Sequence, residues 1–391
     1  MAYHLFSRLR IVPALLLLVL LPGCRSTQRN TTAAAPAADT FYLLVGSYAS
    51  PQSEGVKVYA FDQENGSSRY VCGLKGLSNP SYLTVSHDGK KVYAVGEEED
   101  TASCAHVLSF DATTGALTLL GTQPTHGAAP CYITLSPQED YLLTANYLGA
   151  NITLFPLDSA GLVRPGRTLD FRGHGADAER QSQPHLHCVA FTPDQRYLLA
   201  NDLGTDRIHC FPLNKREKFS ATPLLSEAEV FDITLPAGSG PRHIDFAPDG
   251  RHAYLITELS GEVLVFDYGE KGLQPIQTVR ADTLYAQGSA DIHVSPDGRH
   301  LYASNRLKGD GVAIFAIDSR DGTLTKVGYR QTGAHPRNFI ITPNGKYLLV
   351  ACRDTNEIEL YARDSVSGLL SDTGERIETE RPVCLKFVPQ R

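Results

Sequence analysis

A repeat that occurs seven times limits the folds open to this chain more than any other feature of its sequence. From Phe41 onward, a short lead-in segment recurs before an apolar run at intervals of about 46 to 57 residues. Repeats of this length indicate one architecture built from similar units, not two or three unrelated domains. The seven lead-in segments are Asn79–Tyr82, Ala129–Tyr132, Gln183–Leu186, Gly240–His243, Ser289–Ile292, His335–Asn338 and Arg381–Cys384.

Two further markers divide each repeat into strands. Turn sequences such as Pro-Asp-Gly or Pro-Asn-Gly follow six of the lead-in segments and separate two apolar runs, which is typical of β-hairpins. These turns begin at Ser86, Ser136, Thr192, Ala247, Ser295 and Thr342. A third apolar run ends in an aromatic residue: Phe61, Phe110, Phe155, Phe211, Phe266, Phe315 or Tyr361. Each repeat therefore predicts four short strands, the content of one propeller blade.

We predict an all-β fold, a seven-bladed β-propeller with four-stranded blades, over residues 41–391. The last repeat has room for an innermost strand only. The runs Phe41–Ser47, Val56–Asp62 and Tyr70–Leu74 have the pattern of the three strands that this repeat lacks. Pairing of the N-terminal strands with the C-terminal strand would then close the ring and cover two sheet edges. The absence of tryptophan excludes the WD40 type of repeat.

The N-terminus has the features of a targeting segment. Arg8 and Arg10 precede an apolar run, Ile11–Leu21, which is too short to span a bilayer but fits a secretory signal. The run ends in Leu-Pro-Gly-Cys24, which resembles a bacterial lipobox. We expect residues 1–23 to be a lipoprotein signal peptide, Cys24 to carry lipid, and residues 24–40 to be a tether, so that the protein is a membrane-anchored lipoprotein of the bacterial cell envelope. The alternative, a short buried helix, would be interrupted by two prolines.

Charge and cysteine usage exclude some functions. The formal net charge is −7 and no basic stripe is present, which argues against nucleic acid as a partner. Besides Cys24, seven cysteines occur without a Cys-x-x-Cys spacing, mostly inside apolar runs, where they resemble small buried hydrophobes. One or two disulfides stay open as alternatives. A closed propeller buries its own edges, so we expect a monomer.

The predicted topology brings chemically active residues to one face. If each first strand runs down from its lead-in segment and the second returns, the lead-in segments and the loops after the second strands lie together around the central channel. Imidazole, guanidinium and carboxylate groups suit a small anionic ligand that needs proton transfer. Alternatively, these side chains tie neighbouring blades together. The residues are His185, His187, Asp202, Arg242, His243, Glu258, Asn305, Arg306, His335, Arg337, Asn338, Arg353 and Asp354.

These motifs closely resemble the seven-bladed lactonase family, which includes the propeller type of 6-phosphogluconolactonase and the fungal carboxy-muconate cyclases. The resemblance covers essentially everything after residue 40 and implies an enzyme that hydrolyses a sugar lactone. Family membership specifies the fold more firmly than the substrate. The matching segments are Gln183–His187, Asn201–Gly204, Gly240–His243, Glu258, Ser304–Arg306 and His335–Phe339.

The resemblance also implies residue roles. A His, two Arg and a Glu are the catalytic set proposed for the muconate cyclases, and they match His185 or His187, Arg242 and Glu258, with Arg306 or Arg337 as second arginine. Glu258 or His185 would be the general base or acid, and Arg242 and His187 would stabilise the oxyanion. Arg306, Arg337 and Asn338 would bind a phosphate or carboxylate. The predicted substrate-binding set is completed by Asp202, His243 and Asn305.

Several alternatives remain at this point. Some propeller lactonases hold a divalent cation, and His185 and His187 point the same way on an extended strand. We nevertheless expect no metal and no cofactor, because the adjoining arginines would repel a cation. A cytosolic sugar phosphate would also be in the wrong compartment for an exported protein, which favours a non-phosphorylated lactone in the envelope. A non-enzymatic propeller that binds a small anionic ligand or a protein, and a lactonizing cycloisomerase, are the other interpretations.

Overall fold

Seven four-stranded antiparallel sheets make up the described part of the chain. The structure is a computed structural model that describes residues 40–390 together with Met1. Within residues 40–390, 28 strands form seven sheets of four strands each, so the predicted all-β, seven-bladed propeller is confirmed. The predicted signal peptide, the tether up to residue 39 and the lipidation site Cys24 lie outside the described residues.

Six sheets are formed by consecutive strands, which pair in chain order. A single turn of 3-10 helix, Glu227–Glu229, precedes β15. The strands of these sheets are β4 (Leu83–Val85), β5 (Lys91–Gly96), β6 (Cys104–Phe110) and β7 (Leu117–Pro124); β8 (Pro130–Leu135), β9 (Tyr141–Asn146), β10 (Asn151–Pro156) and β11 (Arg167–Asp170); β12 (Leu186–Phe191), β13 (Tyr197–Asp202), β14 (Arg207–Pro212) and β15 (Phe231–Thr234); β16 (Pro241–Phe246), β17 (His252–Thr257), β18 (Glu262–Gly269) and β19 (Gly272–Arg280); β20 (Ser289–Val294), β21 (His300–Asn305), β22 (Gly311–Ile317) and β23 (Leu324–Gln331); β24 (Pro336–Ile341), β25 (Tyr347–Cys352), β26 (Glu357–Arg363) and β27 (Leu370–Glu378).

The seventh sheet joins the two ends of the described chain. It contains β1 (Thr40–Ser47), β2 (Val56–Asp62) and β3 (Ser68–Leu74), and its innermost strand is β28 (Pro382–Pro389). β1 pairs antiparallel with β28 from Phe41 opposite Pro389 to Ser47 opposite Pro382. The predicted closure by the terminal strands is therefore confirmed, and the pairing covers an edge of each terminal strand.

The first strands of the sheets line a central channel. β4, β8, β12, β16, β20, β24 and β28 each contact the next in this order, and β28 contacts β4, which completes the ring. The second strands are almost continuously apolar and buried, because both faces of each sheet pack against neighbouring blades. The hydrophobic core therefore lies at the interfaces between sheets.

The predicted hairpin turns have one common backbone shape. The fourth residue of each of the six turns has a positive φ, a conformation that favours glycine. In two of the turns the fourth residue is not glycine. The six residues are Gly89 (67°), Glu139 (53°), Gln195 (58°), Gly250 (71°), Gly298 (70°) and Gly345 (73°).

The register corrects two predicted lead-in segments. Ser289 pairs with Asn305, so the segment of that sheet equivalent to Gly240–His243 is Gly288–Asp291, one residue earlier than the predicted Ser289–Ile292. Pro130, Pro241 and Pro336 each pair with the last residue of the second strand of their sheet. In the sheet of β12 and β13, the residue that pairs with the last residue, Asp202, is Leu186 and not Pro184. The segment equivalent to Gly240–His243 is therefore His185–Cys188, two residues later than the Pro184 motif indicates.

Two further findings concern cysteines and helices. The seven cysteines from Cys72 to Cys384 are all free, and five of them are buried. Among the residues that the structure describes, no helix is long and apolar enough to cross a membrane.

Candidate active site at the mouth of the channel

Each blade delivers one residue to the channel mouth from the same backbone position. The residue after the second strand donates its N–H to a lead-in carbonyl; for example, Glu258 N donates to Gly240 O at 2.7 Å and Arg306 N to Gly288 O at 3.2 Å. This bond holds the two predicted segments on one face, as the topology argument expects. We call these residues the loop ring: Tyr48, Glu97, Tyr147, Leu203, Glu258, Arg306 and Arg353.

A recurrent β-bulge delivers a second set of residues. In six of the seven sheets the pairing between the first and second strands shifts register at the lead-in segment. A bulge places two residues opposite one and re-aims a side chain, so simple alternation along the strand does not hold here. The equivalent residues are the bulge ring, Ser81, Cys131, His187, Arg242, Ala290, Arg337 and Val383, and, one position later, the floor ring, Tyr82, Tyr132, Cys188, His243, Asp291, Asn338 and Cys384.

Glu258 is the centre of the charged cluster. Its Oε2 accepts from Arg242 Nε at 2.8 Å and lies 3.2 Å from Arg306 Nη2. Its Oε1 accepts from Arg180 Nη2 at 2.7 Å. Arg242 also donates to the backbone carbonyl of Ala290, and Arg306 Nε to Gly288 O at 2.7 Å. One carboxylate thus orients three guanidiniums, two of which are also fixed by backbone carbonyls.

The electrostatics of this cluster determine its charge state. Burial would raise the pKa of Glu258, but Arg306, Arg242 and Arg180 outweigh it and lower the pKa to about 2. Burial lowers the pKa of Arg306 to about 9, in part against the attraction of Glu258. At neutral pH the cluster therefore contains one carboxylate and three guanidiniums, all charged.

The two histidines of the lead-in segment both contact Tyr147. The rings of His185 and Tyr147 are stacked, 4.3 Å between centroids, and His187 meets Tyr147 edge-on at 5.6 Å. His185 Nδ1 lies 2.8 Å from the backbone carbonyl of Tyr147. A carbonyl oxygen can only accept, so Nδ1 of neutral His185 bears the proton and Nε2 bears the lone pair. Burial, followed by Arg242 and His243, holds the pKa of His187 well below its usual value, so His187 is neutral.

Arg337 lies beside the cluster with different partners. Its guanidinium carbon is 5.6 Å from the Tyr48 ring centroid, and its Nη2 is 4.0 Å from Glu97 Oε1. Tyr48 donates to Glu97 Oε1 at 3.0 Å. Among residues 40–390, the ion pairs of these four arginines involve two carboxylates, Glu258 and Glu97, so these six side chains carry two more positive than negative charges.

Below this cluster the floor ring is organised around Asp291. Its carboxylate accepts from His243 Nδ1 at 2.8 Å, His293 Nε2 at 3.0 Å, Asn338 Nδ2, and two backbone N–H groups. Burial first and Arg242 second lower the pKa of His243 to about 4, against the opposing effect of Asp291. His243 is therefore neutral, and its Nε2 lies 3.4 Å from Arg242 Nη1, where it can accept. Asn338 Oδ1 accepts from Leu385 N at 2.8 Å.

Three residues predicted to bind substrate have hydrogen bonds to the scaffold. Asp202 is fully buried and accepts from the N–H groups of His185 and Gly204 and from the Thr205 hydroxyl. Asn305 contacts Ser289 and the carbonyl of Ala281. Asn338, as described, joins Asp291 to β28. The other seven predicted residues, His185, His187, Arg242, His243, Glu258, Arg306 and Arg337, lie in the channel mouth or directly below it.

Sequence reasoning missed Arg180 and Tyr147. Arg180 belongs to the connection between β11 and β12, where no strand pattern indicates a function, and it also interacts electrostatically with the Tyr147 hydroxyl. Tyr147 occupies the loop-ring position equivalent to Glu258, so the repeat itself contained the signal for it. Within residues 40–390, no three His, Cys, Asp or Glu side chains are grouped so as to hold a metal ion.

Comparisons with known proteins agree on one family. A family model described as "Lactonase, 7-bladed beta-propeller" matches residues 42–387. A 6-phosphogluconolactonase from Bacillus subtilis is 32% identical over 354 residues, which are 88% of this chain and 98% of that protein. The structure of a periplasmic gluconolactonase from Pseudomonas aeruginosa is 33% identical, with a TM-score of 0.83, and the match covers 90% of this chain and 100% of that one.

A candidate 6-phosphogluconolactonase from Bacteroides fragilis is more similar still. Its structure is 50% identical, with a TM-score of 0.86 over 90% of this chain and 99% of that one. The resemblance inferred from the sequence motifs is confirmed: this chain belongs to the seven-bladed β-propeller lactonase family.

Proposed function

We propose that this protein is a hydrolase that opens a sugar lactone of the gluconolactone type at the mouth of the channel. The observation that carries the proposal is the Glu258 carboxylate held among Arg180, Arg242 and Arg306, on the face that also bears His185 stacked on Tyr147. The names of the relatives, 6-phosphogluconolactonase and periplasmic gluconolactonase, support this substrate class.

Arg242 and Arg306 are assigned to the substrate carbonyl. Attack on a lactone carbonyl converts it to a tetrahedral oxyanion, and fixed cationic donors stabilise that charge more than they stabilise the ground state. Both guanidiniums are buried and are held by Glu258 and by backbone carbonyls, so these donors need little reorientation during the reaction. Buried, neutral His187 adds a polar contact on the same ring of residues.

His185 is assigned to proton transfer. Its Nε2 lone pair takes a proton from water as the water oxygen attacks the carbonyl carbon, and Nε2–H then gives that proton to the ring oxygen as the C–O bond breaks. The product is a hydroxy acid. Glu258 would be a poor base in the free protein, because three guanidiniums hold its pKa near 2. We therefore assign Glu258 to orienting the arginines.

The remaining predicted residues fall into two groups. Arg337 lies beside the arginines and would contact the sugar, whereas His243, which contacts both Asp291 and Arg242, would act by positioning Arg242. Asp202, Asn305 and Asn338 would act indirectly, by fixing the lead-in backbone and the blades to which the site belongs.

A panel of lactones tests the assignment. Hydrolysis of gluconolactone and 6-phosphogluconolactone should be measured for the wild type and for His185→Asn, with the exposed His174→Asn as the matched control. We expect turnover by the wild type, a fall of about 100-fold in kcat for His185→Asn, and no change for the control. Binding of a lactone without turnover would favour a non-enzymatic propeller, and formation of a lactone from a muconate would favour a cycloisomerase.

We also propose that the protein is an exported, monomeric lipoprotein anchored through Cys24. The Leu-Pro-Gly-Cys sequence and the periplasmic relative support export. Labelled fatty acid should be incorporated by the wild type and not by Cys24→Ala, and sedimentation of residues 37–391 should give the mass of one chain. Recovery of the full-length protein in the cytosolic fraction with Met1 intact would contradict the anchor.

A further inference from the structure

We infer that Arg180 determines substrate specificity by binding an acidic substituent, a phosphate or a carboxylate, on the lactone. This inference rests on the proposed function, since it names the substrate class of the same site. It replaces Asn338 as the expected anion ligand, because the Asn338 amide is already bonded on both sides.

Exposure separates Arg180 from the other arginines that contact Glu258. The side chains of Arg242 and Arg306 are only 1% and 6% exposed, and each also bonds a backbone carbonyl. The Arg180 side chain is 33% exposed. A guanidinium has five donors in a planar fork, so Arg180 can hold Glu258 with one edge while it presents donors to a second anion.

The turn that bears Arg180 is built to hold it in place. Asp177 Oδ1 accepts from Glu179 N and Arg180 N, both at 3.0 Å. The next residue, Gln181, is fully buried; its Oε1 accepts from Asp177 N at 3.0 Å and its Nε2 donates to Leu203 O and Asp206 Oδ1, both at 2.8 Å. Such anchoring lowers the entropy cost of fixing the Arg180 backbone when a ligand binds.

Charge and position favour an anion at this point. The four arginines exceed the two nearby carboxylates by two charges, so an acidic substituent would meet an uncompensated positive field. Arg180 also interacts electrostatically with Tyr147, on which His185 is stacked. A substrate whose acidic group binds Arg180 would therefore lie beside the proposed proton-transfer residue. Residues 171–182 of the connection between β11 and β12, which include Arg180, belong to no repeat marker, and such loops are where specificity varies on a constant scaffold.

The test compares the wild type and four variants in the hydrolysis of three lactones. Values of kcat/KM are measured for 6-phosphogluconolactone, glucarolactone with its free carboxylate, and neutral gluconolactone, using the wild type, Arg180→Gln, Arg180→Lys and Gln181→Ala. Arg172→Gln, in the same connection and exposed, is the matched control. For Arg180→Gln we expect kcat/KM for one or both acidic lactones to fall at least 10-fold more than for gluconolactone, mainly through KM. Arg180→Lys should recover part of the loss, and Gln181→Ala should reproduce part of it.

Equilibrium binding keeps the inference separable from the proposed reaction. Titration calorimetry with 6-phosphogluconate, glucarate and gluconate requires no turnover. The ratio of the affinity for the acidic compounds to the affinity for gluconate should fall at least 10-fold in Arg180→Gln and stay unchanged in Arg172→Gln. If the wild type hydrolyses no lactone but this binding result holds, the proposed function fails and the inference about Arg180 stands. Equal losses on acidic and neutral compounds, or a wild type without preference for the acidic ones, would overturn it.

Discussion

The charged cluster at the channel mouth and the floor ring beneath it are built around one carboxylate each, but the partners differ. Glu258 is surrounded by guanidiniums that are charged at neutral pH, and Arg337 adds another. Asp291 is surrounded by imidazole, amide and backbone N–H donors. The mouth retains excess positive charge for a ligand to balance, whereas the floor is satisfied internally. Adjacent positions of one bulge can thus serve a binding surface and the scaffold below it.

The largest expected effect concerns the scaffold beneath the mouth. Deleting residues 383–391 removes β28, the pairing partner of β1, and with it the Leu385 N–H that holds Asn338. We expect the shortened chain not to fold, because it would expose two strand edges and the buried face of the first blade. Circular dichroism and thermal melting measure this. A chain that ends at Pro389 retains β28 and is the control; a 383–391 deletion that melts like the parent would contradict the closure argument.

The second effect tests whether the floor is structural. Asp291→Asn should lower the free energy of unfolding by about 3–5 kcal/mol, because it removes the charge around which buried donors are arranged. The control is Asp318→Asn, whose solvent-screened surface pair with Arg320 should contribute little to the free energy of unfolding. Urea denaturation at pH 7 gives both values. If Asp291→Asn is as stable as Asp318→Asn, the Asp291 carboxylate does not hold the floor ring together.

The pH dependence of stability should show the same floor. His243 has a folded pKa of about 4, below the ordinary value near 6.5, so the unfolded chain binds more protons between these values. Stability from this group is complete above pH 6.5 and is lost as pH falls toward 4, a change of about 3 kcal/mol. His243→Gln should have a correspondingly flatter profile in urea denaturation at pH 7, 5.5 and 4.5. Parallel profiles for the wild type and His243→Gln would show that His243 does not cause the pH dependence of stability.

Much of this arrangement follows from the sequence, and the exceptions have physical causes. A lead-in segment repeated seven times and a turn repeated six times specify the blades and the face that bears His185, Arg242 and Glu258. The bulges were not predicted, because an extra residue leaves no mark in a short apolar run. Pro184 imitated the prolines of the other lead-in segments, and only strand pairing shows that Leu186 occupies their position. Arg180 could not be predicted, since its contact with Glu258 crosses 78 residues from a polar connection.

At the mouth itself, the central carboxylate should matter more to turnover than to folding. Glu258→Gln leaves three arginines without their common anion, so their orientation toward the lactone carbonyl is lost; we expect kcat/KM to fall about 100-fold, equivalent to about 2.7 kcal/mol. Glu262→Gln is the control, because Glu262 pairs with Arg280 on the neighbouring strand and has no contact with the cluster among the described residues. Steady-state hydrolysis of the better lactone measures both. Turnover near wild type in Glu258→Gln would retire this site.

The smallest expected effect separates two arginines at equivalent positions of different blades. Arg242 bonds Glu258 directly, whereas Arg337 approaches its nearest carboxylate only to 4.0 Å and lies over the Tyr48 ring. Lysine retains the charge of arginine but not its planar fork of donors. Arg337→Lys should therefore lower kcat/KM about threefold, and Arg242→Lys should lower it at least tenfold more. Comparable losses would mean that the bulge ring acts through charge alone. Unequal losses in the expected order would show that geometry, set at each blade by the partner of the guanidinium, distinguishes the arginines of the mouth.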